Sequence, residues 1–502
     1  MAQKRREIAP KKMAGATGLE PATSGSTVRS SNQLSYAPTS ERLPKVERYS
    51  NHTMGSSQVK SKEKVRVGMV SLGCPKALVD SEIVLGALGE SRVAIARRVE
   101  ESDVVLLNTC GFIRDAKNES IDYILGLIEQ KKRGRLRAVI VMGCLVQRYA
   151  AELQKSFPEV DAFLGSGDYD QLTRVLKSVL AGKRLIVTEH LGYLGKSDEA
   201  RLTLTPKFSR YLKISEGCNH TCSFCAIPQI RGRFRSRTIA DVEKEAKLLV
   251  QEGAKEIILI GQDTTQFGCD YAQKPMLSEL LEVLERIDGL DWIRLLYAYP
   301  NSVSDALIRR IAESRKICHY LDLPLQHISD NILAAMRRGF NRQKTRELIR
   351  KLRSDIPDLT LRTSFIVGFP GETEKDFQDL LEFVSWARFE RLGVFKYSRE
   401  EGTRAAKMRP QVPEKVKERR YHELMTLQRG IAEEVSKRQV GREMNVLIEE
   451  KMVPDTWKGR TVMDAPEIDP HVIVMSSLAL RKGTFYPVRI TGAKGYDLLG
   501  KI

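Results

Sequence analysis

No stretch of the 502-residue chain runs to about 18 apolar residues, which excludes a membrane-spanning helix. No secretory signal heads it, so its eight cysteines are not expected to form a disulfide framework. Clustered cysteines in such a chain serve metal or redox chemistry. Acidic residues are in short supply, 64 against 82 lysines and arginines, for a formal net charge of +18. An excess of that size points to an acidic partner, with nucleic acid or a ribonucleoprotein first. The most informative absence is a ligand. Cys218, Cys222 and Cys225 stand in EGCNHTCSFCAIPQIRG as C-x3-C-x2-C, and no fourth cysteine lies near. Structural zinc would call for paired short C-x-x-C elements or histidines. His220 lies in the loop, yet its position does not make it a ligand.

What is present is globular. At 42% apolar and 29% charged, a chain of this length divides into roughly two to four domains. The first 60 residues stand apart, with ten Lys/Arg, four acidic residues and no apolar periodicity. They read as disordered, or as a mis-called extension upstream of a true start at Met54. From Val65 on, strand-like runs alternate with amphipathic ones. VRVGMVSLG (65–73), VVLLNTCGF (104–112) and AVIVMGC (138–144) are each followed by a helical stretch, which predicts a parallel sheet covered by helices over residues 64–185. Cys74, Cys110 and Cys144 fall at or just past the ends of these runs. The carboxyl ends of parallel strands share one edge, so the three are expected to converge as a second three-thiolate site. Three unrelated buried cysteines are the plainer alternative.

A connecting stretch at about 185–208 leads to six further strand runs, beginning at YLKIS (211–215) and ending at LGVFKYS (392–398). They predict a partial (βα)6 barrel over residues 204–435, with its site at the strands' carboxyl ends. Glycine-rich turns at 261–268 (GQDTTQFG) and 368–373 (GFPGET) lie at those ends and point to a small-molecule pocket. Residues 201–240 hold eight Lys/Arg and one acid, Glu216, with Arg231, Arg233, Arg235 and Arg237 on alternate positions. That charge suits an anionic cofactor, a carboxylate or a phosphate. A charged helical connector follows at about 412–440, and residues 438–502 read as a small β-barrel. The whole is an α/β chain of three parts.

Three thiolates hold three irons of a 4Fe–4S cluster and leave the fourth iron open. On this motif the chain resembles the radical S-adenosylmethionine (SAM) enzymes. In that superfamily the open iron is chelated by SAM, which an electron from the cluster cleaves to a 5′-deoxyadenosyl radical. SLGCPKALVDSE, NTCGFIRDAKNES and VMGCL are similar to the amino-terminal domain of methylthiotransferases, and GRTVMDAPEID to their TRAM domain. The resemblance covers residues 65–502. SLGCPK, NTCGFI, ISEGCNHTCSFCAIP, YLDLPLQHISD and RTSFIVGFPGET are most similar to the members that convert an aspartate of small-subunit ribosomal protein twelve to 3-methylthioaspartate. Ala77 departs from the asparagine expected after CPK in that group.

The resemblance implies two 4Fe–4S clusters and two molecules of SAM. Cys218, Cys222 and Cys225 would hold the radical-generating cluster, and Cys74, Cys110 and Cys144 the auxiliary cluster that delivers sulfur. Gln262, Gln326, Arg362, Gly368 and Glu372 would line the SAM pocket, no side chain is assigned as acid or base, and Cys269 and Cys318 are structural. Implied partners are ribosomal protein twelve, free or within the ribosomal subunit, a reducing electron donor, and rRNA touched through basic surface. The location implied is cytoplasmic, with no membrane. The nearest rival is a tRNA adenosine methylthiotransferase. A non-catalytic electron carrier or RNA-binding protein would leave the glycine turns and six βα units without a purpose.

Overall fold

The computed structural model describes residues 64–89 and 93–502. The reading of the first 60 residues as an extension lies outside them. Six parallel strands build the first sheet: β1 (Arg66–Ser71), β2 (Ala94–Ile95), β3 (Val104–Thr109), β4 (Ala138–Gly143), β5 (Ala162–Gly165) and β6 (Leu185–Val187). Their spatial order is β2-β1-β3-β4-β5-β6. Every residue of β3 and β4 is buried. Val104, Leu106 and Ile140 pack on one face while Val105, Leu107 and Val139 pack on the other. That alternation between two buried faces is what helices on both sides of a parallel sheet require. Three of the strands were legible as apolar runs. The others are two to four residues long, and β6 falls in the stretch read as a connector.

The second sheet follows from β7 (Ser209–Lys213), while β8 (Ser215–Glu216) and β9 (Arg235–Ser236) form a small antiparallel ribbon beside it. With β10 (Glu256–Ile260), β11 (Trp292–Leu295), β12 (Ile317–Asp322), β13 (Thr360–Val367) and β14 (Arg391–Lys396), β7 makes an open sheet ordered β14-β13-β12-β11-β10-β7. All its pairings are parallel. These are the six units expected. Several of its helices begin on a side-chain cap: Thr238, Ser304 and Asn341 each accept from the backbone N–H three residues on. Thr373 and Asp376 complete a reciprocal capping box.

Helix Glu414–Lys437 leads into a closed barrel of β15 (Glu443–Val453), β16 (Thr456–Arg460), β17 (Val472–Met475), β18 (Phe485–Lys494) and β19 (Asp497–Lys501). β16 ends at Arg460, and Asp464 and Asp469 beyond it face the central sheet. Tyr320 Oη donates to Asp469 at 2.6 Å, and Arg391 ion-pairs with Asp464. Deeper in the same seam, Glu256 of β10 takes Arg294 at 2.8 Å and Arg460 of the barrel at 2.6 Å, all of them buried. Trp292 meets Phe485 of the barrel edge-on, with ring centroids 4.6 Å apart. Among the described residues, no helix is long and apolar enough to cross a membrane.

Candidate active site between two cysteine trios

Cys74, Cys110 and Cys144 follow β1, β3 and β4, which are immediate neighbours in the first sheet. Gly73 and Gly143, both at φ +100°, turn the chain sharply out of β1 and β4. Cys74 then precedes helix Pro75–Gly89, and Cys144 opens helix Cys144–Ser156. Cys110 is tied down by its own N–H, which donates to Ser120 Oγ at 3.1 Å. The three land side by side. A Cβ built on Gly73 lies 3.2 Å from the Cys110 Cβ, and one on Gly111 lies 2.6 Å from the Cys144 carbonyl oxygen. Burial, with Cys144 and Cys74 adding to it, pushes the Cys110 thiol up to about 12. Burial also raises Cys144, against the pull of Arg231.

The second trio sits in the loop pinched between β8 and β9. Cys218 N–H donates to Gly232 O at 3.1 Å, and Gly217 (φ +79°) has no room for a side chain, since a Cβ would lie 2.1 Å from Arg233 O. Each sulfur accepts one N–H. His220 N lies 3.4 Å from Cys218 Sγ, Ile227 N 3.4 Å from Cys225 Sγ, and Arg338 Nη1 3.4 Å from Cys222 Sγ. Such donors stabilise thiolate over thiol. Burial nonetheless holds Cys218 up at about 11 and Cys225 at about 12. A cationic group is needed to draw off those protons. His220 is engaged elsewhere, 2.6 Å from Asp263 and stacked on Tyr299 at 3.7 Å. Arg338 lies on the same tyrosine at 4.4 Å, so the loop rests on a layered stack.

Between the trios runs a buried ionic seam. Arg231 Nη1 lies 2.6 Å from Asp80 and 3.1 Å from Glu216, and Lys213 lies 2.5 Å from Asp80 and 3.0 Å from Glu216. All four are at most 2% exposed. Arg231 also pulls the Cys144 thiol down by its charge, and it closes the helix that follows Cys225. One guanidinium therefore acts on the first trio through its charge and is carried by the loop of the second. On the outer side, Glu400 takes Lys117 at 2.7 Å and Arg148 at 2.8 Å, which clamps the first domain's helices to the loop after β14.

The basic run 231–237 was expected to face an anionic ligand, and most of it does not. Arg231 is committed to Asp80 and Glu216, Arg235 to the carbonyls of Leu191 and Gly192, and Arg237 to Asp241 and Glu245. Arg231 and Arg235 reach the first domain and the connector, while Arg237 is spent on the next helix of its own domain. Of the residues read as pocket lining, Gln262 Nε2 donates to Glu216 at 2.6 Å, leaving its buried Oε1 without a partner. Gln326 (φ +72°) extends the sheet edge through a bridge to Phe365. Arg362 is held by Asp322 at 2.8 Å and Asp469 at 3.5 Å. Gly368 and Glu372 build a turn of their own, with Glu372 accepting from the backbone N–H groups of Gly368 and Phe369 and facing Arg420. Cys318 is buried in the core and Cys269 opens the short helix Cys269–Ala272. The motif reading missed Lys76, Asp80 and Arg338. Lys76 and Asp80 lie within SLGCPKALVD, and Arg338 in a short basic run, MRRGFNR, with no local pattern to single it out.

The residues fit a cluster-sized occupant. Among the described residues no three His, Cys, Asp or Glu side chains gather closely enough to hold a single metal ion. In each trio the thiols lie near enough to sense one another's charge. Thiolate donors in threes suit iron–sulfur clusters with one iron left open.

Comparison with known proteins agrees module by module. The Radical SAM superfamily matches residues 212–384, Uncharacterized protein family UPF0004 residues 66–165, and the TRAM domain residues 440–502. The "Ribosomal protein uS12 methylthiotransferase RimO" of Desulforamulus reducens is 48% identical over 439 residues, 87% of this chain and 99% of the relative. That of Geobacter sulfurreducens is 48% identical over 450 residues, 88% of this chain and 99% of the relative. That of Clostridioides difficile is 44% identical over 438 residues, with 87% and 99% covered. Among solved structures, the radical SAM methyltransferase TsrM of Kitasatospora setae matches at TM-score 0.50 and 14% identity, over 66% of this chain and 73% of that one. That is a likeness of fold. The three modules in this order define a radical SAM enzyme that inserts a methylthio group. Within that class, the chain belongs to the family of ribosomal protein uS12 methylthiotransferases, RimO.

Proposed function

We propose that the protein converts an aspartate of small-subunit ribosomal protein twelve to 3-methylthioaspartate, using two molecules of SAM and two 4Fe–4S clusters. The substrate assignment is carried by relatedness at 44–48% identity over 99% of the relatives' length. Cys218, Cys222 and Cys225 hold one cluster, and Cys74, Cys110 and Cys144 the other. When bound, the first supplies the electron that cleaves SAM, and the second the sulfur that is methylated and transferred. The chain's own residues do the rest. The N–H donors of His220, Ile227 and Arg338 stabilise the charge on the three sulfurs. The seam of Asp80, Lys213, Glu216 and Arg231 fixes the first domain against the second, with water excluded. Gln262, Gln326, Arg362, Gly368 and Glu372 line the SAM pocket, where buried oxygens of Gln262 and Glu372 have no hydrogen-bond partner in the chain.

The division we retain is 64–185, 204–435 and 438–502. The enzyme works in the cytoplasm with a reducing partner, on free ribosomal protein or the assembled subunit, and its net charge of +18 suits contact with rRNA. The test is to delete the gene and weigh both pools. Loss of methylthio mass from ribosomal protein twelve is expected; loss from tRNA adenosine instead overturns the reading. Anaerobic reconstitution is expected to load about eight irons, falling to about four when either trio is changed to serine.

A further inference from the structure

The loop that leaves β14 carries its charges on opposite sides. In YSREEGTRAAKMRP (397–410), Glu400 is drawn inward by Lys117 at 2.7 Å and Arg148 at 2.8 Å, and its side chain is only 3% exposed. Arg399, Arg404, Lys407 and Arg409 all stand exposed, and among the described residues none of the four is ion-paired. Glu401 is the one exposed acid of the loop. Cations on either side of it fare differently. Lys396 meets Glu418 at 2.5 Å, Lys417 meets Glu414 at 3.3 Å and Arg419 meets Glu374 at 2.7 Å. Like charges gathered on one short loop repel one another, and an anion set against them removes that penalty.

The loop is also held in shape. Thr403 Oγ donates to Glu400 O at 2.7 Å, Arg399 Nε to Ala406 O at 2.9 Å and Gln411 Nε2 to Met408 O at 2.8 Å. Ala405 sits in an apolar cluster with Met336, Phe369 and Tyr397. Its N–H donates at 2.8 Å to Ser223 O, between Cys222 and Cys225. From the helix that Cys144 opens, Arg148 Nη2 donates to Glu401 O at 2.7 Å. A fixed basic surface therefore flanks both halves of the site. None of the exposed large apolar side chains lies in this loop. A protein partner's contact draws on such side chains at its centre, whereas phosphate contacts need only the cations.

We propose that this loop grips the phosphate backbone of small-subunit rRNA, so that the enzyme meets ribosomal protein twelve within the ribonucleoprotein. The inference rests on the function proposed above and names the state of its substrate and the place of contact. Guanidinium and ammonium groups on a fixed backbone suit phosphate oxygens, and such contacts set orientation without reading sequence.

Full-length, anaerobically reconstituted enzyme is tested against unmodified small ribosomal subunits, small-subunit rRNA stripped of protein, and free ribosomal protein twelve. The variant combines Arg404→Gln, Lys407→Gln and Arg409→Gln, and leaves Arg399 and its bond to Ala406 in place. A control combines Lys155→Gln, Lys177→Gln and Lys183→Gln, which removes the same charge from exposed positions of the first domain. The loop variant is expected to bind subunits and rRNA about 3- to 100-fold more weakly. Its slope of log K against log salt concentration should be shallower by about 2–3. Methylthiolation of free ribosomal protein twelve should keep the wild-type rate, which also shows that the variant is folded and loaded. Unchanged rRNA binding and salt slope overturn the proposal. So does an equal loss in the control, which would leave net charge alone as the cause. A matching loss of affinity for the free protein overturns it too, since the loop would then be a protein contact. Wild type that modifies ribosomal protein twelve in neither form overturns the function reading, and the substrate assigned here with it, an outcome read separately from binding.

Discussion

Arg231 Nη1 lies 2.6 Å from Asp80 Oδ2, which joins the helix after Cys225 to the helix after Cys74. Both side chains are at most 2% exposed. Lys213 completes the pair from the other side, 2.5 Å from Asp80 and 3.0 Å from Glu216, so two cations and two carboxylates neutralise one another. A balanced buried cluster of this kind adds little net stability, but it penalises any arrangement that separates its members. Here the members belong to the two domains that carry the cysteine trios. The ion pairs therefore act as a register mark between the two halves of the site.

Asp80→Asn removes one negative charge and leaves Arg231 and Lys213 to share Glu216. The loss expected is about 3–5 kcal/mol, the cost of stranding a buried charge. Urea unfolding of the variant checks it. Pairing Asp80→Asn with Lys213→Met should recover much of that loss, because the cluster is then neutral again. A double variant as unstable as the sum of the two singles would show that charge balance is not what Asp80 provides.

Arg338 reaches Cys222 Sγ at 3.4 Å while lying 4.4 Å over Tyr299. It offers the second trio a side-chain cation as well as an N–H donor. Arg338→Met removes both the charge and the donor, and should lower reductive SAM cleavage by about 10- to 100-fold, as loss of an outer-shell partner does. Its more specific signature is a midpoint potential shifted to more negative values, since the reduced, more negative state loses a positive neighbour. Arg338→Lys restores charge without the fork and should recover part of the potential. An unchanged potential in Arg338→Met would reduce Arg338 to a packing residue.

The trios were legible because backbone geometry put them in sequence order. Each cysteine of the first follows an apolar run, and strand ends of a parallel sheet share an edge. The loop of the second carries its three cysteines within eight residues. Arg231 was visible only as one arginine in a basic run. Its role depends on Asp80, 151 residues away, which no local pattern links to it. The same reason hides β2 and β6, whose two or three residues are strands only by virtue of the neighbours they pair with. Within the stretch read as a small β-barrel, most of GRTVMDAPEIDP is not strand, because Asp464 and Asp469 turn inward to meet Arg391 and Tyr320.

Glu256 makes docking of the barrel sensitive to acid. Burial alone would raise its carboxyl, but Arg460 and Arg294 outweigh burial and hold it at about 2, below the ordinary 4.5. A depressed carboxyl contributes its full stability above its unfolded value and loses it as pH falls toward the folded one. The contribution, roughly 3 kcal/mol, is therefore present at neutral pH and fades between about 4.5 and 2. Trp292, in contact with Phe485 of the barrel, supplies a fluorescence signal at the same seam. Stability measured by urea titration should drop across that window in wild type. Glu256→Gln should be less stable at neutral pH and show a shallower drop, and an equally steep one would place the acid sensitivity elsewhere.

Gly111 links Cys110 to Cys144 through backbone alone. A Cβ there would lie 2.6 Å from the Cys144 carbonyl oxygen and 2.8 Å from Leu145 Cα, too close for either to remain in place. Gly111→Ala must therefore push the start of helix Cys144–Ser156 away from Cys110, at a cost of about 1–3 kcal/mol. If the first trio holds its own cluster, reconstituted Gly111→Ala should lose about half of its iron while the second trio keeps its share. Gly126→Ala is the control, since it lies in helix Arg114–Lys132 with nothing within 4 Å of the added Cβ. That change should leave iron unaltered and raise stability by about 0.5–1 kcal/mol through helix propensity. Iron retained in full by Gly111→Ala, with the loss of stability measured as expected, would mean that Cys144 tolerates displacement and is no ligand.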